Sequence, residues 1–283
     1  NKDQQELLYS MQENNIIKVD LNKTEGDKKY DEASRLFENW IENEILIAED
    51  MESIYPYHQK FIFKGKEYER LGIVALVKLS DFNEKIVLPH EETFSGPKAD
   101  RLKLMNSCKT NISPIFGVYD NSDDTVEKVV AQFIKNNNHI IEAKSLDGIT
   151  NKIWKISDSK TITQISSFFD SKEILIADGH HRYETSLNYS KANSSDEASY
   201  VMFYLTGTIQ DGLLINPTHR VLNETLSSEE ITKSVIENFT TEEWLEDMNE
   251  DSLEADEFFY IDKKNSCKLK CKIKEKDSKS FYS

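Results

Sequence analysis

The sequence lacks any apolar run of about 18 residues, the minimum for a membrane-spanning helix. Its start, "NKDQQELLYS", has neither a basic segment nor an apolar stretch, so it is not a secretion signal. Three cysteines are too few for a disulfide framework, and their spacing does not suit zinc. Basic residues number 35 against 51 acidic ones, and this net charge of −16 argues against general affinity for nucleic acid or anionic lipid. We therefore expect a cytoplasmic protein with no nucleic-acid partner and no membrane association.

The chain also shows no internal repeat and no low-complexity linker. Its 283 residues are 38% hydrophobic and 30% charged, which suffices for one large domain or two smaller ones. A seam in the polar stretches near 120–138 divides the chain into an N-terminal α/β region, 1–122, and a second region, 123–283. Because the sequence begins without Met, we expect it to be part of a longer protein.

Hydrophobic periodicity predicts a mixed α/β (α+β) fold with several hairpins and flanking helices. Apolar residues at helical spacing over 27–46 indicate an amphipathic helix. Strand patterns over 53–63 and 67–79 flank Lys64-Gly65-Lys66, a hairpin turn. Elsewhere the patterns predict helices near 3–13, 98–108, 123–137, 160–170 and 228–239, strands near 16–21, 86–89 and 113–120, a hairpin over 139–157, two strands around Asp211-Gly212, and a strand-like tail.

The stretch "EILIADGHHRYETSLNY", residues 173–189, concentrates chemistry where a strand gives way to a helix. A helix N-terminus presents unpaired N–H groups and partial positive charge, so it attracts anions. Gly179 lets the backbone approach a ligand, and Arg182 falls in the first turn, where its guanidinium can clamp phosphate. Because the helix dipole disfavours a cation there, Arg182 needs an anionic partner, either Asp178 or a ligand.

Two histidines in the same stretch, His180 and His181, can donate hydrogen bonds to phosphate or act as acid and base. Adjacent helical side chains point about 100° apart, so these two are not expected to bind one metal together. The structural alternative is an Asp178 cap, an Arg182–Asp178 pair and two half-buried histidines, and the sequence leaves it open. Two neighbours are further site candidates: Tyr183 and Glu184.

A second polar block, "LPHEETFSGPKADRL", follows a strand. Glu91 can act as a general base on a substrate hydroxyl or hold Mg²⁺, and Lys98 and Arg101 can hold a second anionic group. The block does not fit His-Glu-x-x-His zinc binding, because position 94 is Phe. A polar loop with capping and exposed charges remains the alternative. Other candidates from the block are His90, Glu92, Thr93, Ser95 and Asp100.

A third group of candidates lies in "NPTHRVL" near the end of the predicted core, and comprises Thr218, His219 and Arg220. His219 either reaches the same cleft or is structural, and both interpretations stay open. Serine hydrolysis is not expected, because Ser95 and Ser186 lack the context of a nucleophile elbow.

The strand–"DGHHRYET"–helix resembles the phosphate-binding turn of the ParB/sulfiredoxin superfamily, roughly Gly-x-x-Arg-x-x-Ala at a helix start. Gly179 and Arg182 match the glycine and the arginine, while Thr185 stands where alanine is usual. Sulfiredoxins carry Gly-Cys-His-Arg there. His180 occupies the position of the catalytic cysteine, so the resemblance does not extend to sulfiredoxin chemistry.

Longer blocks between about 68 and 222 are together similar to a widespread microbial family, domain of unknown function 1015. These blocks include "YERLGIVALVKL", "TNISPIFGVYD" and both polar stretches. The family implies no activity. Kin in the wider superfamily include CTP-binding partition proteins and free-serine kinases that use ADP or ATP, and both place phosphates on this turn. The resemblance thus implies a ParB/sulfiredoxin-like core.

Together these features predict a nucleotide-dependent phosphotransferase acting on a small hydroxylated metabolite such as an amino acid. The turn from Gly179 to Arg182 would hold the phosphates of ATP, ADP or CTP with Mg²⁺, and Glu91 or Asp178 would orient or deprotonate the acceptor. Two alternatives remain: a non-catalytic CTP- or ATP-binding switch module, and a metal-dependent phosphoester hydrolase using His90, Glu91, His180 and Asp178. The acceptor and the oligomeric state are not predicted.

Overall fold

A computed structural model of the chain describes residues 2–93, 95–216, 221, 227–243, 253–254, 257–262 and 267–273. Helices and strands are interspersed along these residues, so the chain is a mixed α/β protein, as predicted. The helices are α1 (Lys2–Met11), α2 (Ile17–Asp20), α3 (Lys28–Glu42), α4 (Ser95–Cys108), α5 (Thr125–Asn136), α6 (Ser159–Phe169), α7 (His180–Ala192) and α8 (Ser228–Asn238). The strands are β1 (Tyr55–Phe63), β2 (Lys66–Lys78), β3 (Val87–Leu88), β4 (Ile115–Tyr119), β5 (Ile141–Lys144), β6 (Thr150–Ile153), β7 (Ile174–Asp178), β8 (Tyr200–Gly207), β9 (Phe239–Glu243), β10 (Glu257–Asp262) and β11 (Cys267–Ile273).

The chain divides into two compact units, Asn1–Ile215 and Asn216–Ser283. Among the described residues, the first unit contains one sheet of eight strands in the order β3-β7-β4-β8-β2-β1-β6-β5. The second contains α8, which begins with the predicted capping box of Ser227 and Glu230, and an antiparallel sheet in the order β10-β11-β9. Strands on both sides of residue 122 share the larger sheet, and the division of the chain into regions 1–122 and 123–283 stays a prediction.

One half of the large sheet consists of antiparallel hairpins. The predicted β1–β2 hairpin is confirmed, with Phe63 paired to Lys66 across the turn. Lys64 and Gly65 both have positive φ, 48° and 79°, which is the backbone of the tight turn that matches strand twist. The predicted hairpin of β5 and β6 is also confirmed, and β6 extends the sheet by pairing with β1.

The other half of the sheet joins strands that are distant in sequence. β7 lies between β3, to which it is parallel, and β4, to which it is antiparallel, and β4 is in turn parallel to β8. The register of β3 on β7 pairs Leu88 with Leu175. Because parallel strands end at the same edge of a sheet, the segment after β3 and the segment after β7 leave the sheet together.

The main core packs α5, α6 and α7 against the sheet. Ile115, Ile176 and Phe203 contribute fully buried side chains from the strands, and Val130 and Tyr183 contribute from the helices. β7 reads as a run of apolar residues for this reason. β7 and the turn that follows it are therefore held in place by pairing with β3 and β4 and by the burial of Ile174 and Ile176.

A second cluster packs α2, α3 and α4 on one another. Val19, Ala33 and Trp40 are buried in it together with Leu104 and Cys108 of α4. α4 also packs along α7, so it connects this helical cluster to the strand-to-helix junction. Among the described helices, none combines the length and apolar character that crossing a membrane requires.

Two local predictions are wrong, and a third is tested only in part. The stretch 16–21, predicted as a strand, forms α2, because Asn15 Oδ1 accepts the N–H of Ile17 at 3.1 Å and Val19 is buried among helices. α4 begins before the predicted Lys98 and includes the Gly-Pro pair, since proline needs no N–H partner in a first turn. The strand predicted after Asp211-Gly212 is absent from residues 213–216, and most of the remainder of that prediction lies outside the described residues.

Candidate functional site

The strand-to-helix junction has the geometry that the sequence predicts. β7 ends at Asp178, Gly179 caps the helix with φ 101°, and α7 begins at His180. The N–H of Tyr183 donates to Gly179 O at 3.0 Å and closes the first turn. Gly179 has no side chain to cap the turn, so the N-terminal N–H groups of α7 receive no bond from the capping residue.

Gly179 is required for two physical reasons. Its φ of 101° lies in the region that residues with a Cβ rarely adopt. A Cβ at this position would also lie 3.0–3.1 Å from the guanidinium of Arg182, which folds back over the glycine. The Gly-x-x-Arg spacing therefore lets the arginine side chain pack on the glycine backbone, whether or not a ligand is bound.

Arg182 finds its anionic partner within the chain. Its Nη2 donates to Asp178 Oδ2 at 2.5 Å, and its Nη1 donates to Ser113 Oγ at 3.1 Å and to Pro114 O. The arginine side chain is 29% exposed and that of Asp178 is 75% exposed. Of the two anionic partners that the sequence allows for Arg182, Asp178 is therefore the one observed. Asp178 lies at the surface, where an anionic ligand can compete with it for the guanidinium.

The His90 segment folds onto the first turn of α7. The backbone N–H of His90 donates to His180 Nε2 at 3.1 Å, and the two rings pack edge to face with centroids 4.5 Å apart. His90 Nδ1 lies 2.6 Å from the carbonyl oxygen of Ile176, so it carries the ring proton and donates to that oxygen. The two polar blocks of the sequence therefore meet at one place.

His180 is the buried member of this group. Its side chain is 1% exposed, and Glu91 Oε1 lies 3.1 Å from its Nδ1, outside hydrogen-bond geometry. Burial lowers the pKa of His180, and the neighbouring His90 lowers it further, while Glu91 opposes the shift. Because Nε2 accepts a hydrogen bond, the neutral ring carries its proton on Nδ1, on the side of Glu91.

Three potential metal ligands, from His90, Glu91 and His180, lie within 4.8 Å of one another. His90 fits a metal, because its bond to Ile176 O leaves Nε2 deprotonated. His180 fits less well, because its Nδ1 must lose its proton while Nε2 still accepts from His90 N–H. Two imidazoles suit a transition metal, whereas Mg²⁺ prefers oxygen ligands, of which this group offers the carboxylate of Glu91.

Glu184 lies one helical turn beyond His180 and accepts hydrogen bonds from two further residues of the second polar block. Thr93 Oγ1 donates to Glu184 Oε1 at 2.6 Å, and Lys98 Nζ donates to Oε2 at 2.7 Å. Partial burial alone would raise the pKa of Glu184, but the bonds from Lys98 and Thr93 outweigh it and lower that pKa. Lys98 is thus paired with a carboxylate close to the junction.

The remaining predicted site residues differ in where they lie. Asp100 accepts bonds from Lys29 at 2.6 Å and Tyr30 at 2.7 Å, so it joins α4 to α3. Tyr183 lies in the core and donates to Ser80 O at 2.8 Å. Arg101 pairs with Asp20, Glu92 is exposed, and His181 is partly buried. The side chain of Ser95 lies outside the described part of the chain, and so do residues Thr218, His219 and Arg220.

Sequence reasoning missed two residues at the junction. Ser113 precedes β4 and accepts from Arg182, and no motif in the sequence marks it. Thr185 is 1% exposed and faces a small pocket next to Arg182. Thr185 could have been predicted as a site residue, because it has a polar side chain at the position where the ParB/sulfiredoxin-like turn usually has alanine.

The fold and the junction define a mixed α/β protein with titratable groups gathered where a buried strand meets a helix. The chain belongs to the family described as "Protein of unknown function (DUF1015)", whose model matches residues 1–281. The predicted resemblance to this family is therefore confirmed, and the ParB/sulfiredoxin-like turn stays a prediction. Comparison with curated proteins gave no match, and comparison with solved structures gave none.

Proposed function

We propose that the chain is a nucleotide-dependent phosphotransferase that acts on a small hydroxylated metabolite such as an amino acid. The first turn of α7, from Gly179 to Arg182, binds the phosphates of ATP, ADP or CTP, in the manner of the ParB/sulfiredoxin-like turn that it resembles. Asp178, whose side chain is 75% exposed, would hold Mg²⁺, and the ion would supply neutralisation of the phosphate charge. Lys98 and Arg101 lie on the neighbouring helix α4, where they pair with Glu184 and Asp20, and would have to exchange those partners to bind a second anionic group.

The observation that supports this proposal is the position of Glu91. Its carboxylate lies 3.1 Å from His180 Nδ1, at the N-terminus of α7, although Glu91 and His180 belong to different polar blocks of the sequence. The side chain of Glu91 is 53% exposed, so a substrate hydroxyl can reach it. A base candidate and an anion-binding helix start therefore share one surface.

Phosphoryl transfer needs few groups beyond these. The acceptor hydroxyl loses its proton to the Glu91 carboxylate, and its oxygen forms a bond to the terminal phosphorus of the nucleotide. The bond between that phosphorus and the bridging oxygen breaks, and the nucleotide leaves with one phosphoryl group fewer. Arg182 and the N–H groups of the turn stabilise the charge on the phosphoryl oxygens.

The test is to incubate the protein with Mg²⁺, a panel of hydroxylated metabolites, and ATP, ADP or CTP, and to follow phosphorylated product by ³¹P NMR. We expect one nucleotide to support transfer, and Glu91→Gln to reduce the rate by about 100-fold or more, because a general base contributes that much. Glu67→Gln is the matched control, since Glu67 is 57% exposed on the β1–β2 hairpin and pairs with Lys60 there. Equal rates in both variants would remove Glu91 from the mechanism.

A metal-dependent phosphoester hydrolase is the second candidate, because His90, Glu91 and His180 present three ligand atoms within 4.8 Å. The same reactions distinguish the two. Phosphate release without any acceptor, abolished by a chelator and restored by Zn²⁺ or Mn²⁺, favours the hydrolase. Tight nucleotide binding with neither transfer nor release would instead indicate a non-catalytic switch.

A further inference from the structure

A small pocket lies beside the first turns of α7, between that helix, α4 and the segment that enters β4. Its volume is about 40 Å³. A cavity needs roughly 10–15 Å³ for one water molecule, so this space holds a group of a few heavy atoms and excludes a nucleotide base. The residues that matter for its chemistry are Asp20, Arg101, Ser113, Arg182, Thr185 and Ser186.

Thr185 gives this pocket an unsatisfied hydroxyl. The side chain is 1% exposed, and within the described part of the chain its Oγ1 has no hydrogen-bond partner. The adjacent Ser186, also buried, donates its hydroxyl to Arg182 O at 2.9 Å. Leaving a buried hydroxyl unpaired is unfavourable, and a polar ligand atom in the pocket would remove that penalty.

The charges around the pocket favour an anionic group. Two guanidinium groups and one carboxylate line it, from Arg101, Arg182 and Asp20. Asp20 is already bonded to Arg101, so its carboxylate is neutralised. Arg182 bonds to Asp178, whose side chain is 75% exposed and outside the pocket lining. Both guanidinium groups have a carboxylate partner, but the partner of Arg182 is the more exposed one, so a carboxylate bound in the pocket can compete with Asp178 for the Arg182 guanidinium.

We propose that this pocket binds the carboxylate of the acceptor, a hydroxy acid or hydroxy amino acid of two to four carbons, with Thr185 Oγ1 as donor and Arg182 as charge partner. The inference rests on the proposed function for the role of this acid as acceptor. Arg182 lies in the same first turn that would hold the phosphates. A short acid bound through Arg182 and Thr185 therefore keeps its hydroxyl close to the phosphoryl group.

Isothermal titration of the full chain tests the pocket without requiring turnover. The probes are L-serine and D-glycerate, their counterparts without a carboxylate, ethanolamine and ethylene glycol, and inorganic phosphate. We expect one of the acids to bind, and its counterpart to bind at least about 10-fold more weakly, because a charge-assisted contact is lost. Thr185→Val replaces the hydroxyl by a methyl group of similar shape, and we expect it to weaken binding of the acid about 10-fold.

Thr206→Val is the matched control, because Thr206 is fully buried but donates its hydroxyl to Leu71 O at 2.8 Å. This control should lower the melting temperature and leave binding of the acid unchanged. Thr185→Val should leave the melting temperature unchanged or raise it, since it removes an unpaired hydroxyl. If Thr185 had only a structural role, Thr185→Val would not weaken binding of the acid while leaving the melting temperature unchanged or higher.

Three results would overturn the carboxylate pocket: no binding of either acid, equal binding of the acid by Thr185→Val and the unaltered protein, or binding of inorganic phosphate alone. Failure of the proposed function is a different result. If the acid binds and depends on Thr185, but no nucleotide supports phosphoryl transfer to it, the pocket stands and the phosphotransferase does not.

Discussion

The two sides of helix α7 carry opposite chemistry. On the side that meets the His90 segment, His180 and Glu184 are contacted by His90, Thr93 and other residues that lie far away in the sequence. On the side that meets β4 and the small pocket, Arg182 donates to three acceptors from Asp178 and the segment before β4. The first side offers two imidazoles and the carboxylate of Glu184 with its partner Lys98, and the second offers the guanidinium of Arg182 with its partner Asp178.

Under the proposed function, the two sides would have different roles. Glu91, on the side of the His90 segment, would accept the proton, and Arg182, on the pocket side, would attract the anionic group. The backbone N–H groups at the start of α7 lie between them. A substrate that carries both a hydroxyl and an acidic group can use both sides at once, and three measurements test how different the sides are.

The largest expected effect comes from the pocket side. Arg182→Ala removes donors from Asp178, Ser113 and Pro114, so we expect the free energy of unfolding to fall by about 2–3 kcal/mol. Lys98→Ala, on the opposite side, removes one partly exposed ion pair with Glu184 and should cost about 0.5–1 kcal/mol. Urea denaturation of both variants measures the two values. Equal losses would mean that the two sides do not differ in stability.

A smaller effect is expected at the glycine that the guanidinium covers. Gly179→Ala should cost about 1–2 kcal/mol, because a residue with a Cβ is strained at positive φ. Gly148→Ala is the matched control, since Gly148 has φ 87° but nothing within 4 Å of an added Cβ. The loss at Gly179 should exceed that at Gly148, and the excess should disappear in an Arg182→Ala background. If Gly179→Ala still costs more than Gly148→Ala in the Arg182→Ala background, the added Cβ does not meet the Arg182 guanidinium.

The smallest effect concerns pH on the His90 side. Burial lowers the pKa of His180 from its usual 6.5, so the unfolded chain takes up the proton first as pH falls. The stability that His180 contributes is therefore complete above pH 6.5 and declines as pH falls from there toward the folded-state pKa. His180→Gln keeps an acceptor for His90 N–H but cannot titrate. Melting temperatures of both proteins from pH 8 to 5 should diverge, and parallel curves would contradict the buried, neutral ring.

Features with local causes were predictable from the sequence. The helix α3 follows from apolar residues at helical spacing, and the β1–β2 hairpin follows from its glycine turn. The junction at Gly179 was also predictable, because a buried strand pattern stops at Asp178 and a helical pattern follows. In each case the residues that determine the structure are neighbours in the chain.

Features that depend on distant contacts were not predictable. α2 has the composition of a strand, and its burial of Val19 against α3 and α4 decides its conformation. The pairing of His90 with His180 depends on the parallel register of β3 on β7, which no local pattern encodes. The partnerless hydroxyl of Thr185 is likewise a property of its tertiary surroundings.

The short strand β3 has a consequence for self-association. Of the described strands in the large sheet, β3 and β5 lie at the two edges, where unpaired backbone groups invite strands from other chains. β5 is exposed along its whole length and bears Glu142 and Lys144, charges that discourage such pairing. β3 has only two residues and is followed by Pro89, which has no N–H to offer a neighbour. The proline that turns the chain toward α7 therefore also protects this edge from aggregation.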